Sequence, residues 1–153
     1  MTETRTLEEF RAKFRIDELF VLKNSSWTWS VRPAQATLGS GILSLNRYAL
    51  RLSDVTPEEM KDLADIVGIL EQTINTAFKH NIMNYLMLMM VDHHVHYHVI
   101  PRYDGLRTFA GCEWIDNGWP ALPVIGDSQH QNERGVLRQI QEKLISSHAP
   151  TVR

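Results

Sequence analysis

The sequence predicts an α+β fold with a largely antiparallel sheet and one long helix. A helical periodicity at the N-terminus is followed by short runs of strand-forming residues, a long amphipathic pattern, and two apolar segments separated by a short connection. Two adjacent strands joined so closely are expected to pair as an antiparallel hairpin. The 153 residues are enough for a single domain, residues 1–153, built on one hydrophobic core.

The N-terminal third predicts one helix and three strands. Leu7, Phe10 and Phe14 are three and then four residues apart, which is a helical spacing and predicts a helix over residues 6–16. Short runs of apolar, aromatic and β-branched residues predict strands over residues 19–22, 27–31 and 42–45.

The long helix has a clear start signal. Thr56 is suited to cap it, Pro57 suits the first helical position, and Glu59 completes a capping box. Apolar residues then recur along one face as far as Phe78. The basic residues and asparagine of the segment 79–81 favour a helix end there.

The remaining chain predicts a hairpin, an irregular segment and a last helix. Residues 84–91 are nearly all apolar, which is typical of a strand buried on both faces. A tight turn at Asp92-His93 then leads into a strand over residues 94–102. The Trp-rich segment 103–126 contains several glycines and prolines and is predicted to be irregular, and a C-terminal helix is predicted over residues 129–146.

The composition excludes several classes of protein. The net charge of −2 argues against an extended nucleic-acid groove. Cys112 is the only cysteine, which rules out an internal disulfide and a multi-cysteine zinc site. The N-terminus does not resemble a signal peptide, and the longest apolar run, 85–91, is too short to cross a bilayer. We therefore expect a cytoplasmic protein with no membrane partner.

Three histidines alternate along the last predicted strand. His94, His96 and His98 share one strand face because successive side chains point to opposite sides, and the other face is apolar. One interpretation is a polar face with no further role. A second is a metal site, in which a neighbouring pair joins a distant ligand such as His80 or His130; the outer two histidines, about 13 Å apart, cannot bind the same ion.

The third interpretation is phosphate chemistry, and it is the one we favour. A neutral imidazole is a good nucleophile near pH 7. Flanking imidazoles can donate hydrogen bonds to phosphate oxygens. A row of three supplies a central nucleophile, His96, with a donor on either side.

The string from His94 to Ile100, followed by Pro101-Arg102, closely resembles the signature of the histidine triad family of nucleotide hydrolases and transferases. The resemblance extends to the segments 41–45 and 52–59 and covers roughly residues 20–102. It implies an α+β fold, usually a homodimer, and no metal or other cofactor. It also implies that His96 attacks the α-phosphorus and forms a nucleotidyl-histidine, with His94 and His98 as flanking partners. The substrate would be a dinucleoside polyphosphate, a nucleotide phosphoramidate or a nucleotide sugar.

Other residues are candidates for nucleotide contacts. Ser30, three residues before a proline, matches the position where the family carries a ribose-binding Asp or Asn. Ile42 and Leu43 are candidates to line a base pocket, although apolar strand residues are core by default. Arg102 is a candidate phosphate contact, with a salt bridge as its alternative. The four tryptophans are candidates for stacking on a base or, as is more common, for packing: Trp27, Trp29, Trp114 and Trp119.

Two departures from the family pattern motivate a rival hypothesis, a nucleotide-binding module without efficient turnover. Ser40 stands where the family commonly has a fourth histidine. The loop before the triad, which often contacts phosphates, shrinks to about residues 91–93. For either function we expect a homodimer, because the long amphipathic helix and the Met-rich segment 87–90 offer a large apolar surface for a small domain.

Overall fold

An antiparallel sheet of five strands organises the protein, and the computed structural model describes residues 2–148. The strands are β1 (Phe20–Lys23), β2 (Trp27–Val31), β3 (Gly41–Leu45), β4 (Ile82–Leu86), β5 (His96–Arg102), β6 (Arg107–Phe109) and β7 (Cys112–Trp114). The helices are α1 (Thr2–Lys13), α2 (Pro57–Phe78) and α3 (Val136–Ser147), and a 3₁₀ turn spans Leu52–Asp54. The sheet order is β1-β2-β3-β5-β4, while β6 and β7 form a separate hairpin. The predicted α+β class is confirmed.

Helix α2 begins as its sequence predicts. The Thr56 hydroxyl accepts a hydrogen bond from the Glu59 amide, and the Glu59 carboxylate accepts one from the Thr56 amide. The helix ends at Phe78, where Lys79 adopts a left-handed conformation with φ 54° and its amide bonds back to Asn75. The two caps define the ends of α2, and its buried apolar residues pack in the main core.

The main core lies between the sheet and the helices α2 and α3. Trp27, Trp29 and Leu43 project from the sheet into this core and are all fully buried. They pack with the buried apolar stripe of α2 and with Val136, Ile140 and Leu144 of α3. The alternation of side chains along each strand then directs the neighbouring residues, including the histidines, to the opposite face of the sheet.

The strand predicted over residues 84–91 is corrected by the structure. β4 ends at Leu86, it lies at the sheet edge rather than between two strands, and none of its residues is fully buried. Met89 has φ 49°, a left-handed conformation that a continuing strand cannot accommodate. Met90 and Val91 are consequently 80% and 79% exposed. The tight turn predicted at Asp92-His93 is instead a longer connection over residues 87–95, although β4 and β5 do pair antiparallel.

Two further boundaries differ from prediction. The segment 103–126 is not wholly irregular, because β6 and β7 form a hairpin across Ala110 and Gly111, with φ 56° and 72°. Two successive left-handed residues give the turn that matches strand twist, and an alanine in the first position hides this signal. The last helix starts at Val136, directly after the left-handed Gly135, rather than at residue 129. Within residues 2–148 the helices offer no stretch long and apolar enough to cross a membrane.

Candidate nucleotide site

Strand β5 holds two of the three histidines in the interior of the sheet. His96 lies opposite Ser44 of β3, and His98 lies between Ile42 of β3 and Leu86 of β4. His94 precedes β5, and the backbone beside it is held by hydrogen bonds from the Leu45 amide to the Val95 carbonyl and from the Val95 amide to the Ala49 carbonyl. The three imidazoles therefore share one face, and each is less than a tenth exposed.

The central imidazole has one nitrogen held and the other available. His96 Nδ1 lies 2.6 Å from the main-chain carbonyl oxygen of His94. A carbonyl can only accept, so the proton of the neutral ring is on Nδ1, and Nε2 carries a free lone pair. This arrangement suits a nucleophile, because the donated hydrogen bond fixes the ring orientation.

His94 uses both ring nitrogens on the backbone of one neighbouring loop. Its Nε2 donates to the carbonyl of Leu45 at 2.8 Å, and its Nδ1 accepts from the amide of Ala49 at 3.3 Å. The Tyr48 ring stacks on it at 5.8 Å with an angle of 5° between the planes. His94 thus fixes the loop 45–49 and the carbonyl that holds His96, and it has no ring nitrogen left for a ligand in this conformation.

Three polar atoms on the histidine face are buried and have no hydrogen-bond partner among residues 2–148. They are Nδ1 of His98 and the hydroxyl oxygens of Ser30 and Ser44. Ser44 lies opposite His96, and Ser30 lies across Ile42 from His98. Buried polar groups are nearly always satisfied, so these three atoms leave hydrogen-bonding capacity that a polar ligand or water can fill.

Burial keeps the triad neutral. Loss of hydration lowers the pKa of His94 and of His96 below the usual value, and it lowers the pKa of His98 to about 4, with Arg32 and His96 acting in the same direction. Asp92 opposes this shift at His96 and His98. At pH 7 each ring therefore carries one lone pair and one N–H, and those of His94 are already bound to the loop 45–49.

Helix α1 and the turn after it cover the triad. The Phe10 ring centroid lies 5.0 Å from that of His94 and 4.9 Å from that of His96. Phe14 lies 5.7 Å from His96 and 6.1 Å from His98. The sequence predicted α1 from the spacing of these phenylalanines but not the surface that they cover, because periodicity defines a face and not its partner.

The other predicted contacts divide between the two faces of the sheet. Ile42 and Ser30 lie on the histidine face, and Ile42 packs with Phe10 and Ile16. Leu43, predicted as a base contact, is instead directed into the main core with Trp29, because it is one residue out of phase with Ile42. The prediction for Leu43 is therefore corrected.

Arg102 lies in a buried ion pair, which was the alternative to a phosphate contact. Its Nε and one terminal nitrogen donate to the Asp116 carboxylate at 2.7 and 3.1 Å, and the other terminal nitrogen donates to the Asn84 side chain at 2.7 Å. The side chains of Arg102 and Asp116 are 5% and 1% exposed. The guanidinium is thus committed to the protein, and Arg102 joins the tail to the sheet rather than facing a ligand.

The remaining candidates have structural roles. Trp27, Trp29 and Trp114 are core residues, so they offer no surface to a base. The Ser40 hydroxyl, at the position of the family's fourth histidine, donates to the Thr37 carbonyl in a buried turn. No group of three or more potential metal ligands occurs in the part of the chain that the structure describes. Ser44 was not predicted as a site residue. It is two residues after Ile42, so strand alternation places it on the same face of the sheet as Ile42 and the histidines.

The fold matches solved structures of histidine triad proteins. A hypothetical histidine triad nucleotide-binding protein from Sulfolobus tokodaii has a TM-score of 0.63 and 18% identity, over 84% of this chain and 82% of that one. A histidine triad protein from Bradyrhizobium japonicum has a TM-score of 0.63 and 16% identity, over 88% and 95%. A uridylyltransferase has a TM-score of 0.56 and 17% identity, over 99% of this chain but only 51% of its own. No family model and no curated protein sequence matches the chain.

At these identities the shared property is the fold. The chain has the fold of histidine triad proteins, and the fold implied by its histidine motif is confirmed. In this chain Phe10 of α1 and Phe14, just after the helix, lie directly on the imidazoles.

Proposed function

We propose that the protein acts at the α-phosphate of a nucleoside phosphate through a nucleotidyl intermediate on His96. The observation that carries the proposal is the 2.6 Å hydrogen bond from His96 Nδ1 to the His94 carbonyl, which leaves Nε2 as the free nucleophilic atom of a neutral, oriented ring. The likeness in fold to a nucleotide-binding protein and to a uridylyltransferase supports the same class of chemistry.

The reaction has two displacement steps. In the first, the Nε2 lone pair of His96 forms a bond to the α-phosphorus, and the bond from phosphorus to the leaving group breaks with its electron pair, which takes a proton from solvent. In the second, water attacks the same phosphorus, the phosphorus–nitrogen bond breaks, and a nucleoside monophosphate leaves as the water loses a proton to solvent. His96 returns to its neutral form with the proton still on Nδ1.

The neighbouring groups have separate roles in this proposal. His98 and Ser44 flank His96 and donate hydrogen bonds to phosphate oxygens as negative charge develops there. Ser30 and Ile42 lie farther across the sheet, where a ribose hydroxyl and a base would fall. His94 is a positioning residue, because both of its nitrogens hold the loop that orients His96.

A hydrolysis screen tests the proposal. The purified protein is incubated with a dinucleoside polyphosphate, a nucleotide phosphoramidate and a nucleotide sugar, and monophosphate release is measured for the unmodified chain and for His96→Ala. We expect His96→Ala to lose at least a thousandfold in rate on the best substrate, since it removes the nucleophile. His93→Ala is the matched control, because His93 is an exposed neighbour outside the triad. Equal rates for His96→Ala and the unmodified chain would contradict the mechanism.

A nucleotide-binding module without efficient turnover is the second candidate. The phenyl rings on the triad and the structural role of Ser40 favour it. It predicts nucleotide binding by calorimetry with no monophosphate release above background in the same screen, and with binding retained in His96→Ala.

We also propose a homodimer formed through the edge strand β4. This strand pairs on only one side, and the apolar side chains of Ile82, Leu88, Met90 and Val91 near it are about half or more exposed. An open edge with adjacent apolar groups is prone to pair with a second chain. Light scattering at micromolar concentration should give twice the chain mass, and Met90→Glu should shift the mass toward that of one chain. A single-chain mass for the unmodified protein would contradict the dimer.

A further inference from the structure

Helix α1 is attached to the protein by few buried groups. Phe10 is its only fully buried residue among residues 2–13, and most of its other side chains are exposed. Phe14 follows the helix and is only partly buried. Segments with so few buried contacts open more easily than the core of a protein.

The surface beneath α1 is polar and unsatisfied. Nδ1 of His98 and the hydroxyls of Ser30 and Ser44 have no partner within residues 2–148. The Phe14 ring, whose centroid lies 6.1 Å from that of His98, cannot supply one. Covering polar groups without satisfying them costs free energy, which water or a ligand recovers when the cover leaves. The docked position of α1 therefore leaves the cost of these unsatisfied groups in place.

The docked helix also blocks the attack on phosphorus. A phosphorus atom must come within about 3.5 Å of the attacking nitrogen. His96 is 1% exposed, and the Phe10 and Phe14 ring centroids lie 4.9 and 5.7 Å from its own, so the docked rings close access to this imidazole. A substrate therefore needs α1 to move before its phosphorus can approach Nε2 of His96.

The chain around α1 has the parts of a hinged cover. Arg15 adopts a left-handed conformation with φ 54° just after the helix, and Ile16 beyond it is fully buried against Ile42. Two residues before Arg15, Lys13 Nζ pairs with the Asp92 carboxylate at 2.8 Å, in the loop that leads to the triad. A cleft of about 360 Å³ already separates α1 from segment 91–94.

We propose that residues 2–14 form a lid that swings about Arg15, with Lys13–Asp92 as its latch, and that the open lid admits the nucleotide phosphate to the triad. The identity of the ligand rests on the proposed function, whereas the opening itself does not. Ile16 is the fixed anchor beyond the hinge. The lid is thus an autoinhibitory contact built into the fold.

Hydrogen exchange measured by mass spectrometry tests the opening without any substrate. We expect amides of residues 6–14 to exchange at least a hundredfold faster than those of the buried stretch 66–74 of α2, with little dependence on denaturant. Lys13→Ala should raise exchange in the lid about two- to fivefold, the range for a partly exposed ion pair, and leave α2 unchanged. Lys61→Ala is the matched control, because it removes a similar pair with Asp65 at 3.3 Å on α2.

Chemical modification of the imidazoles provides the second readout. Carbethoxylation of His96 should accelerate by the same factor in Lys13→Ala, while exposed His93 reacts equally fast in both proteins. Apparent affinity for adenosine monophosphate should rise by that factor as well, because a larger fraction of the chain is open.

The outcomes separate the lid from the proposed function. Lid amides that exchange as slowly as those of α2, with the same denaturant dependence, would overturn the lid. Fast lid exchange that Lys13→Ala leaves unchanged, together with unchanged His96 modification, would also overturn it. Faster exchange and modification without any nucleotide binding would leave the opening in place and count against the proposed function alone.

Discussion

Replacement of Phe10 by alanine tests whether α1 is a lid that opens on its own or a fixed part of the core. Complete burial of a phenylalanine contributes roughly 1.5–3 kcal/mol, so Phe10 and the partly buried Phe14 together favour docking by roughly 2–5 kcal/mol. The three unpartnered atoms on the histidine face cost about 1–3 kcal/mol each, or roughly 3–9 kcal/mol together. The two sums overlap, and the exposed Lys13–Asp92 pair adds only about 0–1 kcal/mol. Docking of α1 is therefore marginal.

A mutation in a marginally docked lid cannot lower global stability by more than the docking free energy itself. We expect Phe10→Ala to reduce the free energy of unfolding in urea by less than about 2 kcal/mol, although its side chain is only 4% exposed. Phe78→Ala is the matched control, because Phe78 is 5% exposed in the main core and should cost about 3–5 kcal/mol. Equal losses of about 3–5 kcal/mol for both variants would show that α1 unfolds only with the whole protein, which would refute the reasoning.

Two further predictions follow from charge. First, burial under the closed lid lowers the pKa values of the triad histidines, so the open state binds protons more readily than the closed state. The closed state is therefore most favoured above about pH 6.5, and it is destabilised as the pH falls toward about 4. The ratio of hydrogen-exchange rates between lid amides and α2 amides, corrected for intrinsic rates, should therefore rise as the pH is lowered from 7.5 to 5, and an unchanged ratio would contradict this. The charged and titratable groups that face the triad are Arg11, Lys13, Arg32, Tyr48 and Asp92. Second, Asp116→Asn leaves the buried Arg102 charge unpaired and should cost about 3–5 kcal/mol in urea unfolding, against less than about 1 kcal/mol for Lys61→Ala; a similar small loss for both would contradict the structural role of Arg102.

The sequence predicts well where local signals and burial agree. The start of α2 follows from Thr56, Pro57 and Glu59, whose side chains act within one turn of the helix. The strand β2 has the predicted bounds because its apolar and aromatic residues have no competing turn signal. The alternation of His94, His96 and His98 places three imidazoles on one face for the same reason, since strand geometry has a period of two.

The failures arise where a residue's partner is distant in the sequence. The apolar run after Leu86 resembles a buried strand, but a left-handed Met89 and a position at the sheet edge end it early. Leu43 and Ile42 are equally apolar, and only the register of β3 decides which of them reaches the histidines. Arg102 resembles a phosphate contact until Asp116 is brought beside it by the β6–β7 hairpin. The packing of Phe10 on His94 and His96 could not be predicted, because a local sequence pattern does not indicate the surface on which a helix docks.

The covalent intermediate tests the central claim most directly. The unmodified chain and Lys13→Ala are mixed with the best substrate from the screen, quenched in base within the first turnovers, and digested for mass spectrometry. We expect a nucleoside monophosphate adduct on His96 that is stable in base, is lost in acid, and accumulates faster in Lys13→Ala. Turnover at full rate with no adduct, or with an adduct on another residue, would contradict it.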